Sequence, residues 1–133
     1  MDYLLDTHTL LWVLFEPSKL GLKTRRIIED PANRIFVSPI SYWEISLKHG
    51  LGKLILPDTD PSEIPKATLE QGFTESQADP AILSTFHRLS VNPTHRDPFD
   101  RLIIWQAICN DCTLLSKDRS MAFYVAQGLK LPK

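Results

Sequence analysis

The sequence is poor in the residues that define several whole classes of protein. Its 133 residues include only 2 cysteines, Cys109 and Cys112, too few for a disulfide framework and in keeping with a reducing, cytoplasmic setting. The longest apolar run, Leu10–Phe15, falls far short of the ~20 residues a membrane-spanning helix needs. The first residues carry an acid at Asp2 where a secretory signal would be basic and then apolar. Only 5 glycines occur, and they form neither G-x-G-x-x-G nor G-x-x-x-x-G-K-[ST], which excludes the common nucleotide-cradling loops. A net charge of -1 supplies no global basic field for coating nucleic acid nonspecifically. No repeat or low-complexity tract stands out.

What is present is ordinary globular material: 43% hydrophobic and 23% charged residues, which argues against disorder. A chain of this length is expected to form one domain, residues 1–133, burying roughly two thirds of its unfolded surface. Tyr3–Leu5 is a short apolar run, and Thr9–Phe15 is apolar enough to suit a helix packed against a sheet. Lys23–Asp30 reads as a polar helix and Ile35–Val37 as a buried strand. Ser38–Pro39 supplies an N-cap and a first-turn proline for a helix to about His49, with Gly50 ending it. After a proline-rich connection, helices are expected over about Pro65–Gly72 and Glu75–Leu89, the second with an interruption point at Asp79–Pro80. Asp97–Pro98 with Asp100 starts a further helix to about Asn110. Thr113–Ser116 is a strand candidate, followed by a helix from Asp118 to about Ala126 and an edge strand at Leu129–Leu131. This alternation predicts an α/β sandwich: a mostly parallel central sheet of four to five strands, right-handed crossovers, and flanking helices.

The informative feature is where the acids fall. Asp6 and Asp118 each follow a predicted strand directly, at the sheet edge where open parallel sheets bind ligands. Asp100 lies in the first turn of its helix, and Glu44 lies in a helix beginning directly after the second strand. Brought together, these carboxylates repel one another unless a cation neutralises them. An all-oxygen donor set suits Mg²⁺ or Mn²⁺, and such a centre activates water for attack on phosphorus. Each acid also has a plainer role: Asp6 as a helix cap, Asp97 as the better N-cap of its helix, Asp100 as a dipole partner, Asp118 as a solvated turn residue. Glu44 is harder to dismiss, because Tyr42, Trp43, Ile45 and Leu47 leave it little polar surface. Joint placement, not any single acid, favours a site.

Other chemistry fares worse. A haloacid-dehalogenase-like phosphatase needs a second acid two residues after the first, where His8 stands. Cys109 and Cys112 form a C-x-x-C at a predicted helix end with no second pair, so free structural thiols are expected. Lys48, Lys53, Arg96, Arg101, Lys117 and Arg119 read singly as solvated charges and together as a cradle for RNA phosphates. His8 is expected in helix packing or at the substrate, and His95 in ordering its loop. Trp12, Trp43 and Phe99 are expected in the core. Apolar helix faces in the N-terminal half can form a dimer or partner surface.

These residues carry a resemblance. Leu4–Trp12 (LLDTHTLLW) resembles the first acidic motif of the PIN-domain nucleases, in the form seen among VapC-type toxins. Ser38–Lys53 (SPISYWEISLKHGLGK) is similar to the second, His95–Leu102 (HRDPFDRL) to the third and Leu114–Asp118 (LLSKD) to the fourth, in family order. The resemblance implies a PIN-like parallel sheet and assigns Asp6, Glu44, Asp100 and Asp118 as the catalytic, metal-binding set. It further implies Mg²⁺- or Mn²⁺-dependent RNA cleavage, homodimers and a cognate antitoxin. Ser116 stands where threonine is common, Trp105 where a small residue is usual, and Asp58–Pro93 matches poorly. The expected function is a metal-dependent endoribonuclease, the toxin of a toxin-antitoxin pair. A catalytically silent PIN-like module that binds RNA or protein is the alternative, and metal-dependent DNA cleavage would use the same acids.

Overall fold

A computed structural model describes residues 1–133. Four strands, β1 (Asp2–Leu5), β2 (Arg34–Val37), β3 (Thr74–Glu75) and β4 (Thr113–Leu115), form one parallel sheet in the order β3-β2-β1-β4. Leu4 lies opposite Phe36 and Leu114, and Leu5 opposite Val37 and Leu115. From β1 the chain runs outward to β2 and β3 and then returns to the other side of β1. That reversal places a topological switch point at the carboxyl ends of β1 and β4, where parallel sheets open a crevice.

Six α-helices cover the sheet: α1 (Thr7–Phe15), α2 (Leu22–Glu29), α3 (Pro39–Gly50), α4 (Ile64–Glu70), α5 (Pro80–Ser84) and α6 (Pro98–Cys109). Strand side chains alternate between faces, so the sheet separates two apolar cores. Tyr3, Leu5, Ile35, Val37 and Leu115 pack with Leu10 of α1, Ile45 of α3 and Ile64 of α4. Leu4 and Leu114 point the other way, onto Ile103, Ile104 and Ala107 of α6 and onto Met121 and Tyr124. With helices on both faces, strands β1, β2 and β4 carry apolar runs (Tyr3–Leu5, Ile35–Val37, Leu114–Leu115) instead of an alternating pattern.

The α/β sandwich and the parallel sheet expected from the sequence are present, with four strands. The expected fifth, at Leu129–Leu131, is reduced to a single parallel bridge between Thr113 and Lys130. The region expected as one helix over Glu75–Leu89 instead holds β3, the short α5 capped by Asp79, and a 3₁₀ turn at Phe86–Arg88. Proline at 80 lacks an N–H and suits only a first turn, so it starts a helix where it would have broken one. Trp105 explains how α5 is held: its indole donates to Ile82 O (3.0 Å) and Thr85 Oγ1 (3.2 Å). The segment after Asp118 is helical but 3₁₀, Arg119–Gln127. Helix α3 includes Gly50, and the reversal falls at Gly52 (φ +72°), the conformation glycine adopts freely. No helix is long and apolar enough to cross a membrane.

Candidate active site

Asp6 directly follows β1 and caps α1. Its Oδ1 accepts from Thr9 N–H at 2.8 Å, and the residue is 4% exposed. The strand end is pinned to its neighbour, since Asp6 N–H and Thr9 Oγ1 both donate to Leu115 O at 3.2 Å. The cap role and the site role are therefore compatible: one backbone N–H fixes a buried carboxylate at the switch point.

Glu44 sits on α3, whose start is fixed by Ser38 accepting from Ile40 N–H (3.1 Å) with Pro39 in the first turn. A buried hydrogen bond from Thr7 Oγ1 to Ser41 Oγ (2.9 Å) ties α3 to α1. Glu44 is 2% exposed; its Oε2 pairs with Lys48 Nζ, and its Oε1 is buried with no hydrogen-bond partner. Burial lowers the Lys48 ammonium, but the Glu44 hydrogen bond and charge, with Asp97 and Asp100, outweigh it and hold its pKa above the usual value.

The third acid enters from α6. Asp97 is the N-cap, accepting from Phe99 N–H (2.8 Å) and Asp100 N–H (3.4 Å). Asp100 then points into the cleft. Burial pushes its carboxyl up to about 6, helped by the charges of Asp97, Glu44 and Asp6 and opposed by His95. Asp118, just beyond β4, is the open side of the cleft: it caps the 3₁₀ segment by accepting from Ser120 N–H (2.9 Å).

Two overlapping sets of donor atoms result. His95, Asp100 and Asp118 each place a ligand atom within 4.8 Å of the others, and Glu44, Asp97 and Asp100 do likewise. Asp6 belongs to neither set, yet its charge acts on Asp100. All four acids expected from the sequence thus converge on one end of the sheet, with Asp97 beside them. His95 was expected only to order its loop, but it is buried at the centre, its Nε2 3.5 Å from Asp100 Oδ2 and 3.7 Å from Asp118 Oδ2. Its place before an Asp-Pro helix start signals a turn and gives no hint of that inward orientation.

Two expectations about neighbouring residues are corrected. Arg101 is not a solvated charge available to phosphate: it is buried and donates to Ser90 O (3.0 Å), Leu89 O (3.3 Å) and Tyr124 Oη (3.2 Å). Trp43 is not in the core; it is exposed, edge-on to Phe99 at 5.0 Å. Lys53, Arg96, Lys117 and Arg119 are exposed as expected. His8 is exposed and, with Glu44, Lys48 and Lys53, lines a cavity of about 270 Å³ beside the acids. A larger cavity, about 1030 Å³, lies at the opposite end of the strands between Leu22, Ile27, Val125 and Leu129. No acid lines it, so the chemistry belongs to the smaller cleft.

The donor chemistry fits a divalent cation. The set is oxygen-rich, the carboxylates repel one another, and Glu44 Oε1 is buried without a hydrogen-bond partner. Buried polar atoms are nearly always satisfied, and like charges in a partly dry cleft need a counter-charge.

Fold and cleft together define an α/β protein with a carboxylate centre at the switch point of a parallel sheet. The sequence matches the model of the PIN domain over residues 3–126, and the chain belongs to that family. It is 36% identical over 66 residues to Ribonuclease VapC16 of Mycobacterium tuberculosis (strain ATCC 25618 / H37Rv). That match takes in 50% of this chain and spans 45% of the relative's length. Two solved structures share the fold at a TM-score of 0.68. VapBC2 from Rickettsia felis, bound to a DNA fragment from its promoter, is 17% identical and aligns over 99% of this chain and 98% of its own. VapBC-1 from nontypeable Haemophilus influenzae is 16% identical and aligns over 100% and 98%.

Proposed function

We propose that this chain, taken as one domain over residues 1–133, is a metal-dependent endoribonuclease and the toxin of a toxin-antitoxin pair. The observation that carries the reading is the convergence of Asp6, Glu44, Asp100 and Asp118 on one cleft with a buried, partnerless Glu44 oxygen among them. Asp6, Glu44, Asp100 and Asp118 would hold Mg²⁺, or Mn²⁺ in its place. A divalent ion so held supplies Lewis acidity toward a phosphoryl oxygen and lowers the pKa of water.

The chain's own groups do the rest. Thr9 N–H and Asp97 fix the Asp6 carboxylate and the α6 start before any substrate arrives, which is preorganisation of the kind catalysis requires. Lys48 balances part of the acidic charge from inside the cleft. Exposed Lys53, Arg96, Lys117 and Arg119 flank the acids in sequence and suit phosphate contacts along a strand of RNA. The cleft presents carboxylates, lysine and histidine and no serine, cysteine or threonine poised with a base, so water is the attacking group. The resemblance to the PIN nucleases implies that the 3′ oxygen departs, which would leave a 5′-phosphate and a 3′-hydroxyl.

An RNA substrate follows the likeness to the VapC ribonuclease, and action in the cytoplasm is the reading that two cysteines without a disulfide favour. An antitoxin partner follows the two VapBC neighbours. A homodimer is supported by Trp43, Leu47 and Leu51, three exposed apolar side chains spaced four residues apart along α3 and its end.

The decisive experiment is cleavage of total RNA and of tRNA by antitoxin-free protein, with Mg²⁺, Mn²⁺ or EDTA. Wild type cleaves with metal, whereas Asp6→Asn and EDTA-treated wild type do not, and Asp6→Asn keeps its circular dichroism spectrum. Full activity in Asp6→Asn overturns the assignment. RNA binding that persists in EDTA with no cleavage identifies a silent binding module instead.

A further inference from the structure

The acids of the cleft are reached from behind by a buried chain of polar contacts that the hydrolytic reading leaves unused. Arg101 Nη1 donates to Tyr124 Oη at 3.2 Å, and Tyr124 Oη lies 2.7 Å from His95 Nδ1. Tyr124 is 0% exposed, His95 6% and Arg101 9%. The imidazole and phenol rings meet edge-on at 5.5 Å, so both are held by packing as well as by the hydrogen bond.

Donor counting fixes the protons along this chain. A guanidinium has donors only, so Tyr124 Oη must accept from Arg101. The phenol's own hydrogen then needs an acceptor, and His95 Nδ1 is the atom within reach. If Nδ1 carried the proton instead, the Tyr124 hydrogen would be buried with no partner, at the full desolvation cost of that group. With Nδ1 accepting from Tyr124, the ring hydrogen is carried on Nε2. That atom is buried with no well-formed hydrogen bond and faces Asp100 Oδ2 and Asp118 Oδ2, one from α6 and one from beyond β4. With a hydrogen there, Nε2 has no lone pair to offer a cation. It is a donor aimed between two carboxylates.

We propose that Arg101, Tyr124 and His95 form a positioning relay: it presents His95 Nε2–H to Asp100 and Asp118 and sets the spacing of those carboxylates for a divalent ion. The proposal rests on the reading that the cleft holds such an ion. His95 is then a positioning residue acting through the two acids, and not a ligand itself. Arg101 is likewise removed from RNA binding and assigned to orienting the phenol.

The test begins without metal. Long-range ¹H–¹⁵N spectra of the metal-free protein should show His95 as the Nε2–H tautomer, and Tyr124→Phe should yield a mixture. Mn²⁺ titration calorimetry then compares wild type with His95→Asn, which cannot reach the acids, and His95→Gln, whose amide N–H extends to the Nε2 position. His95→Asn should bind Mn²⁺ about tenfold more weakly or worse, the range for groups that orient metal ligands, and His95→Gln should recover most of the loss. Tyr124→Phe removes one oxygen from a packed ring and should weaken Mn²⁺ binding severalfold while still melting in one cooperative step, at a somewhat lower temperature because His95 Nδ1 loses its partner, which keeps the test open if His95→Asn misfolds. Spin-echo spectra of the Mn²⁺-loaded protein should lack a directly bound imidazole nitrogen. An Nδ1–H tautomer, a bound imidazole nitrogen, or wild-type Mn²⁺ affinity in His95→Asn and Tyr124→Phe overturns the relay. A wild type without Mn²⁺ affinity defeats the metal reading itself, and the relay's role with it.

Discussion

At the scale of single residues, Asp100 is the group whose environment is least comfortable. Burial, together with Asp97, Glu44 and Asp6, moves its carboxyl from an ordinary 3.8 to about 6. The fold therefore favours the protonated form. The stability this proton uptake contributes is complete below the ordinary value and is lost as pH rises through about 6. Metal-free protein should accordingly melt lower at pH 7 than at pH 5, and Asp100→Asn should abolish that slope. With allowance for solvent screening at a partly exposed group, the variant should gain on the order of 1–2 kcal/mol at pH 7 in EDTA. Mg²⁺ should raise the melting temperature of wild type and leave Asp100→Asn unmoved. In subsaturating Mg²⁺, cleavage should fall as pH drops through about 6, because the proton and the ion compete for the same oxygens. Scanning fluorimetry across pH, with EDTA or Mg²⁺, checks the stability half of this, and the RNA cleavage assay checks the other. Asp6 and Asp118 are legible in the sequence because each follows a strand, Asp100 because it opens a helix, and Glu44 because it lies in a helix that starts directly after β2 with little other polar surface; chain direction then decides which end of the sheet they reach. His95 and Arg101 are not legible in this way. Their types are normally solvated, and only the three-dimensional meeting of α6 with the 3₁₀ segment buries them.

At the scale of elements, the start of α6 combines a structural and an electrostatic task in one side chain. Asp97 accepts two backbone N–H groups and also contributes charge that raises Asp100. Two substitutions separate these. Asp97→Asn keeps the cap and removes the charge, so it should cost little stability while lowering the pH at which metal binding is lost. Asp97→Ala removes both and should destabilise by about 1 kcal/mol through the cap. Urea unfolding and a pH series of Mn²⁺ binding distinguish the two variants; equal stability would show that the cap contributes nothing. Helix starts of this kind are readable where the residues before them are a strand or a loop: Ser38–Pro39 and Asp97–Pro98 begin helices as expected, whereas Asp79–Pro80, expected to interrupt a helix, begins one. The strand β3 is unreadable for a physical reason. It is Thr74–Glu75, both exposed, with no apolar alternation and no neighbour on its outer side, so its pairing with β2 is decided by backbone hydrogen bonds and not by side-chain type. The C-terminal segment shows the same limit: its pattern is helical, but the tighter 3₁₀ winding is set by packing of Met121 and Tyr124 under α6.

At the scale of the whole molecule, the open question is what covers the outer face of α3. Trp43, Leu47 and Leu51 are 58%, 41% and 60% exposed, an apolar stripe of a kind that monomers rarely leave to solvent. Trp43 of the stripe packs edge-on against Phe99, the neighbour of Asp100, at 5.0 Å, so a second copy docked on the stripe would lie beside the cleft. An RNA strand could then be gripped by the basic residues of both. Leu47→Glu places a charge in the middle of the stripe without touching either the Glu44–Lys48 pair or the strand ends. It should convert a dimer into a monomer in sedimentation velocity at micromolar concentration, with unchanged Mn²⁺ affinity, because no cleft ligand moves. Cleavage of long RNA should fall severalfold through KM while a short single-stranded RNA, which fills one cleft, is cut at the wild-type rate. A variant that stays dimeric would assign the interface to another face, and a wild type already monomeric at that concentration would leave the stripe to the antitoxin.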